Sequence, residues 1–200
     1  MVNPQRVIID SNMVDNFSEM NIDPVSAFAN SGYTLYITKD VKREIEALIS
    51  AVDKRLEHSD DDQRQRDCKK RELAIRILQY AQVRSFFGFS DDKNSGSPQR
   101  FGGFGIGILA SDEDVRIYNE NASKEGKVRP TGIPVNRTDN DLVMLARRSW
   151  VLTANYKESH WEKAQALPFL VQWFTLKEKL LANGGDLVAA LDETYKERME

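Results

Sequence analysis

Oxygen-bearing side chains at separated positions could form one site in this chain of 200 residues. Asp10 follows a short apolar run, Glu44 lies in a helical pattern, Asp141 lies near the start of another helix, and Asn155 follows a further apolar run. Carboxylates and other oxygen ligands are what hard divalent cations such as Mg²⁺ and Mn²⁺ bind. The expected chemistry is therefore that of a divalent metal, provided that the fold brings these positions together. Taken singly, a carboxylate at a strand-to-helix turn is more often a helix cap.

Helical periodicity distinguishes neighbouring acids on the two helices. Glu44 lies at the border of the apolar stripe of its helix, where the carboxylate can reach a cleft, whereas Glu46 points away. On the second helix, Asp139 is the better N-cap, and Asp141 lies within the first turn, where its side chain can project into the cleft. We therefore expect Glu44 and Asp141 to accompany Asp10.

The elements that must position these side chains are short apolar strands that alternate with amphipathic helices. Apolar runs predict strands at residues 7–9, 35–38, 83–89 and 151–153, and a further strand within 168–174. Periodicity and capping residues predict helices at 24–30, 40–56, 63–82 and 139–150, and on either side of Gly184 and Gly185. This alternation predicts an α/β fold, a three-layer sandwich with a central, mainly parallel sheet. Such a sheet binds ligands beyond the carboxyl ends of its strands.

Length and composition set limits on the molecule. The chain length favours a single domain over 1–200, and the Gly-, Ser-, Asp- and Asn-rich composition predicts an insertion at about 88–137, with a small helix near 112–121. The formal net charge of −3 gives no long-range field that would hold nucleic acid. One cysteine and two histidines exclude a zinc site built from several such ligands. With no membrane-spanning apolar segment and no signal-peptide pattern, a cytoplasmic location without membrane contact is expected.

Four motifs, in their order along the chain, resemble the PIN-domain nucleases. They are a strand ending in Asp10-Ser11-Asn12, a helix carrying Glu44, Asp141 opening a helix with aliphatic residues behind it, and a strand ending in Thr153-Ala154-Asn155. The match covers about 6–50 and 138–174. The resemblance implies a Mg²⁺- or Mn²⁺-dependent endoribonuclease that cleaves single-stranded RNA, with Asp10, Glu44 and Asp141 as metal ligands. The small format further implies a toxin of a toxin-antitoxin pair or a phage-defence effector, with an inhibitory protein partner.

The resemblance also implies roles for polar neighbours of these acids. Asn155 stands where the family often has Asp, so it would offer a carbonyl oxygen to the catalytic site without a negative charge. Polar supports and substrate contacts are expected at Ser11, Asn12, Thr153, Lys42 and Arg43. The last two are basic residues beside Glu44 that could neutralise substrate phosphates.

Two other interpretations remain open. Asn155 and the long insertion also fit a catalytically impaired PIN-like module that binds RNA or protein. The third interpretation is an unrelated doubly wound enzyme that acts on a small phosphorylated substrate and uses Asp10 as a metal ligand. The segment Arg100–Gly105 combines a cation, aromatic rings and flexible backbone, which are the ingredients for stacking unpaired bases. The C-terminal helices could pack on a second copy in a homo-oligomer, and the sequence does not distinguish RNA from DNA.

Overall fold

The computed structural model describes residues 3–87, 107–109, 137–154 and 168–199. Its strands are β1 (Arg6–Ile9), β2 (Thr34–Thr38), β3 (Gln82–Phe87), β4 (Gly107–Leu109), β5 (Trp150–Thr153) and β6 (Leu170–Gln172). Its helices are α1 (Met13–Glu19), α2 (Pro24–Ala29), α3 (Lys39–Leu56), α4 (Asp61–Tyr80), α5 (Arg137–Leu145), α6 (Trp173–Ala182) and α7 (Leu187–Met199). Within these ranges, no helix is both long and apolar enough to cross a membrane.

The strands form one six-stranded sheet in the order β4-β3-β2-β1-β5-β6, and each of its pairings is parallel. Helices flank this sheet, which confirms the predicted three-layer α/β sandwich. From β1 the chain builds outward through β2 and β3 to β4, and then returns to place β5 on the other side of β1. The order of the strands therefore reverses between β1 and β5, and the crevice at such a switch point is where open α/β sheets bind ligands.

The central strands are continuous apolar runs because both of their faces are covered. Val7 and Ile9 in β1 are fully buried, as are Val151 and Leu152 in β5. In a parallel sheet with helices on both faces, each strand position needs an apolar side chain, so the strand loses the alternation of a half-exposed strand. This is why the runs at 7–9 and 151–153 predict these strands correctly.

Side-chain caps decide where two of the helices begin. Asp23 accepts a hydrogen bond from the backbone N–H of Val25 at 3.0 Å, which fixes the predicted start of α2 at Pro24. The sequence predicts Asp40 as the N-cap of α3, because Asp is a favoured capping residue, and this prediction is wrong. Thr38 caps this helix by accepting from the N–H of Val41 at 3.1 Å, and Asp40 lies in the first turn.

Helix α5 begins earlier than the sequence predicts. Its first residue is Arg137, so Asp139 lies inside the first turn and is not the N-cap that the sequence suggested. Asp141 is then the fifth residue of the helix, two positions further along than the predicted start at 139 implies. The position of these two acids relative to the sheet is therefore set by a helix start that the local sequence does not reveal.

The segment predicted as an insertion contributes a strand to the sheet. Gly107–Leu109 pairs in parallel with β3, with Ser85 opposite Gly107, and extends the sheet by one edge strand. The small helix predicted near 112–121 and the loop Arg100–Gly105 lie outside the described residues. Further along, the strand expected within 168–174 is β6, and the helices on either side of Gly184 and Gly185 are α6 and α7.

A hydrogen-bond network lies at the amino edge of the sheet, where the strands begin, at the opposite end from the switch-point crevice. The hydroxyl of Tyr33 donates to Asp192 on α7, and the amide of Asn3 donates to the Tyr33 hydroxyl at 2.8 Å. The indole N–H of Trp150 donates to Asn3 at 2.9 Å. Burial, and then the hydrogen bond to Asp192, raises the pKa of Tyr33 above its usual range, so this hydroxyl remains a donor. The network ties α7 to the beginnings of β1, β2 and β5.

Candidate active site

Asp10 lies at the carboxyl end of β1, beside the crevice between β1 and β5. Its backbone N–H donates to the carbonyl of Leu152 at 2.9 Å, which continues the strand pairing, and its side chain is almost completely buried. Oδ1 accepts from the backbone N–H of Ser11 at 2.7 Å, and Oδ2 accepts from the hydroxyl of Thr153 at 2.7 Å. Because Asp10 and Thr153 come from neighbouring strands, the sheet itself fixes the orientation of this carboxylate.

Glu44 reaches the same place from helix α3. Its Oε2 accepts from the hydroxyl of Ser11 at 2.6 Å, and its Oε1 accepts from the hydroxyl of Thr138 on α5 at 2.9 Å. Glu46 instead forms an ion pair with Lys42 at 3.9 Å, with about half of its side chain exposed. The prediction that Glu44 faces the cleft while Glu46 points away is therefore confirmed.

Asp139 and Asp141 are both buried on α5, each 5% exposed. The negative charge of Asp139 acts on Asp10 and raises the pKa of that carboxyl, so Asp139 belongs to the cluster. Residues two apart on a helix do not face each other, whereas residues three apart do. Asp141 accordingly shares a helix face with Thr138, the residue that contacts Glu44. The structure thus adds Asp139 to the acids that the sequence selected, while the role of Asp141 as a metal ligand stays a prediction.

The acidic cluster changes the protonation of Asp10. Burial is the largest of the causes that together raise the pKa of this carboxyl to about 7, and repulsion from Asp139 and then from Glu44 acts in the same direction. The hydrogen bond from Thr153 opposes them by lowering the pKa. A carboxylate that is desolvated and surrounded by like charges is costly to ionise, and a bound cation would remove that cost.

The possible ligand atoms at this site suit a hard divalent cation that keeps part of its water shell. They are carboxylate oxygens, with hydroxyl groups that hold two of the carboxylates in place. Among the described residues, no group of three or more Asp, Glu, His or Cys side chains is already arranged around one ion position. Mg²⁺ is commonly held by one or two carboxylates, with water and substrate phosphates completing its octahedron. Asp10 and Glu44 are the residues that would hold Mg²⁺ or Mn²⁺ here, and the metal itself stays a prediction.

The polar supports predicted from the sequence lie where they can stabilise the cluster. Ser11 bridges Asp10 and Glu44, and Thr153 holds the second oxygen of Asp10. The carbonyl oxygen of the Asn12 side chain accepts from the backbone N–H of Ala154 at 3.0 Å. That bond ties the turn after β1 to the end of β5, so Asn12 supports the shape of the crevice.

Thr138 is a site residue that the sequence analysis misses. The sequence indicates this role only weakly, because a threonine just before an acidic helix start is ordinarily interpreted as an N-cap. In the structure, it lies inside α5 and donates to Glu44. Asn155 lies outside the described residues.

Lys42 and Arg43, the expected phosphate contacts, lie near the beginning of α3 with their side chains about half exposed. Lys42 pairs with Glu46 at 3.9 Å, and Arg43 lies 3.7 Å from the buried carboxylate of Asp40. The exposed pair of Lys42 with Glu46 is weak, so Lys42 can exchange its partner for a phosphate at little cost. Their contact with substrate stays a prediction.

A cavity of about 820 Å³ lies at the amino edge of the sheet, beside Asn3, Tyr33 and Asp192. These three side chains bond to one another, in the network that holds α7 in place. No cluster of carboxylates lines it in the described part of the chain. The carboxyl edge is therefore the candidate site, whereas the network at the amino edge holds α7 in place.

Comparisons of this chain with protein-family models, with curated proteins and with solved structures give no match.

Proposed function

We propose that this chain is a PIN-like, metal-dependent endoribonuclease that cleaves single-stranded RNA. One observation carries the proposal: acids from β1, α3 and α5 converge at the carboxyl edge of a parallel sheet, where the strand order reverses. Asp10 and Glu44 share Ser11 as a donor, and Asp139 is close enough to raise the pKa of Asp10. A buried carboxyl with a raised pKa in a crevice is typical of functional sites.

Each residue of the cluster has a chemical role in this proposal. Asp10 and Glu44 hold Mg²⁺ or Mn²⁺, and Asp139 or Asp141 adds negative charge from α5. The bound metal would supply a lowered pKa for the attacking water and positive charge for the scissile phosphate. Hydrogen bonds from Ser11 and Thr153 keep the carboxylates in one orientation, as outer partners of metal ligands generally do.

The substrate and the biological setting are further parts of the proposal. Lys42 and Arg43 on α3 provide positive charge for the backbone of an RNA strand. A role as the toxin of a toxin-antitoxin pair or as a phage-defence effector, silenced by an inhibitory protein in the cytoplasm, follows from the family resemblance. A homo-oligomer formed through the C-terminal helices stays an expectation from the sequence.

A second candidate is a module of the same fold that binds RNA or protein without cutting it. It is favoured by the finding that the described residues contain no ready-made group of three ligands around one ion position. The asparagine at position 155, where the family often has aspartate, favours it as well. This candidate predicts binding without metal-dependent turnover.

Cleavage of a generic single-stranded RNA by the purified protein tests the two candidates. The assay is run with Mg²⁺, with Mn²⁺ and with EDTA, and with the Asp10→Asn variant alongside. We expect products that need the metal and disappear in the variant. Binding of the same RNA without any products in either metal would reject the nuclease and support the binding module.

A further inference from the structure

Helix α6 carries an apolar face that points away from the core. Phe174 and Leu181 are 69% and 65% exposed, and they lie on the same side of the helix because seven positions make almost two full turns. On the opposite side, Leu176 and Leu180 are fully buried. In the described part of the chain, Tyr80 is the one other large apolar side chain with comparable exposure. Exposed apolar residues that are scattered singly are normal, so two on one helix face indicate a contact surface.

Two opposite charges lie at the centre of this face. Lys177 and Glu178 come one turn after Phe174 and one turn before Leu181, and both are exposed. Neither forms an ion pair or a side-chain hydrogen bond with any of the described residues. The neighbouring Lys179, by contrast, is buried and pairs with acids of α7. The charges of Lys177 and Glu178 are thus available to a partner.

The order of these four residues is self-complementary for two antiparallel copies of α6. Phe174 lies three positions before Lys177, and Leu181 lies three positions after Glu178. A two-fold axis through the midpoint between the two charged residues therefore places Phe174 opposite Leu181 of the partner subunit. The same axis places Lys177 opposite Glu178 of the partner subunit. Each contact occurs twice, as in any isologous interface, so the face offers two attractive ion pairs between two apolar contacts.

The neighbouring edge of the sheet is a poorer surface for a second copy. Strand β6 ends the sheet on this side, and the carbonyl of Leu170 accepts from the guanidinium of Arg198 on α7 at 2.8 Å. The carbonyl of Pro168 accepts from the same guanidinium at 2.7 Å. An edge strand whose carbonyls are already bonded is a poor template for another strand. The exposed face of α6 is therefore favoured over β6.

We propose that this protein forms a two-fold symmetric homodimer through antiparallel packing of α6 against α6 of a second copy. The inference does not depend on the proposed nuclease function. A fully buried Phe covers about 150–250 Å², and about two thirds of each apolar side chain is exposed, so the four side chains of a dimer bury roughly 500 Å². Standard interfaces bury about 1,200–2,000 Å² in total. We therefore expect a weak dimer that forms at micromolar protein concentrations.

Sedimentation velocity of the full chain, from low to high micromolar concentration, tests the proposal. Lys177→Glu and Glu178→Lys each place like charges opposite one another, so each variant alone should associate about tenfold more weakly, or less, than the wild type. An equimolar mixture of the two variants should associate again, because the negative face of one pairs with the positive face of the other. The measurements are made at low ionic strength, since salt screens exposed charges.

A second pair of variants tests the apolar part of the interface. Phe174→Ala should also weaken association about tenfold, because it removes an aromatic side chain from the centre of the contact. Tyr80→Ala is the matched control, since Tyr80 is a similarly exposed aromatic residue on α4. It should associate as the wild type does.

Three results would overturn the inference. A wild type that stays monomeric at every concentration rejects the dimer. Undiminished association in both charge variants places the interface elsewhere on the molecule. A mixture of the charge variants that associates no better than its components rejects the antiparallel register. None of these results bears on RNA cleavage, so this inference and the proposed function can fail separately.

Discussion

The hydroxyl of Ser11 donates to Glu44 Oε2 at 2.6 Å, although 33 positions separate the two residues in the chain. The backbone N–H of the same serine donates to Asp10 at 2.7 Å. One residue in the turn after β1 thus holds a carboxylate of the sheet and a carboxylate of α3 at the same time. This shared donor makes the two acids one unit, so a change at either should affect metal binding by the other.

Glu44→Gln should lower metal-dependent RNA cleavage about 100-fold or more, because it removes a charged metal ligand and one of the acceptors that Ser11 and Thr138 use. The matched control is Glu46→Gln on the same helix, whose exposed ion pair with Lys42 contributes little. Initial cleavage rates at saturating Mg²⁺ check this prediction. Equal losses in both variants would show that the charge of α3, and not the position of Glu44, supports activity.

The strands and most of the helices follow directly from the sequence, because a fully buried strand and an amphipathic helix each leave a periodic pattern. Val7–Ile9 has no alternation and must be covered on both faces, which is where the structure places it. The sequence pattern does not predict β4, because Gly107–Leu109 is only three residues long and follows a glycine-rich segment. A short edge strand takes its structure from pairing with β3, and that information is not local.

The candidate site was harder to predict on α5 than on β1 and α3. Asp10 ends a buried strand and Glu44 borders an apolar stripe, so local patterns select both residues. On α5 the choice between Asp139 and Asp141 depends on where the helix begins, and that start at Arg137 lacks a sequence signal. Side chains two residues apart on a helix point in directions that differ by more than half a turn. An error of two residues in the predicted helix start therefore changes which of the two acids is expected to face the cleft.

Asp139→Asn should lower the pKa of Asp10, because it removes the negative charge that raises that pKa most after burial. Asp141→Asn should change it less. The pKa of Asp10 can be followed by carbon-detected NMR of a sample labelled at its carboxyl groups. A larger shift in Asp141→Asn than in Asp139→Asn would restore Asp141 as the closer acid, as the sequence predicted. Asp139→Asn should also lower the cleavage rate more than Asp141→Asn does.

The stability of the metal-free protein should fall as the pH rises through the range of the Asp10 titration. Its carboxyl has a pKa near 4 in the unfolded chain and about 7 in the folded one, so the folded state binds the proton more tightly. Stability from this group is therefore full below about pH 4 and is lost as the pH rises to about 7, with an upper limit of about 4 kcal/mol. Urea unfolding in EDTA between pH 4 and pH 8 measures it. Asp10→Asn should remove this pH dependence. If the free energy of unfolding changed with pH in the same way in the wild type and the variant, the raised pKa would not belong to Asp10.

Tyr33→Phe should destabilise the protein by about 1–2 kcal/mol without affecting cleavage. The change removes the hydroxyl that joins Asn3 and Asp192 at the amino edge, away from the acidic cluster. Tyr80→Phe is the matched control, since Tyr80 is 66% exposed and its hydroxyl can remain in water. Urea unfolding and cleavage rates together check the prediction. A loss of cleavage in Tyr33→Phe at temperatures where it is fully folded would show that the two edges of the sheet are coupled.

Mg²⁺ should stabilise the wild type at pH 8 more than at pH 5. At the higher pH Asp10 is ionised, and the cation binds the folded state while relieving the repulsion from Glu44 and Asp139. At the lower pH a proton already neutralises Asp10, so Mg²⁺ must compete with it. The melting temperature is measured with MgCl₂ and with NaCl at equal ionic strength, since general screening would also reduce the repulsion. Equal stabilisation by both salts, or an undiminished Mg²⁺ effect in Asp10→Asn, would show that the cation does not bind at this cluster.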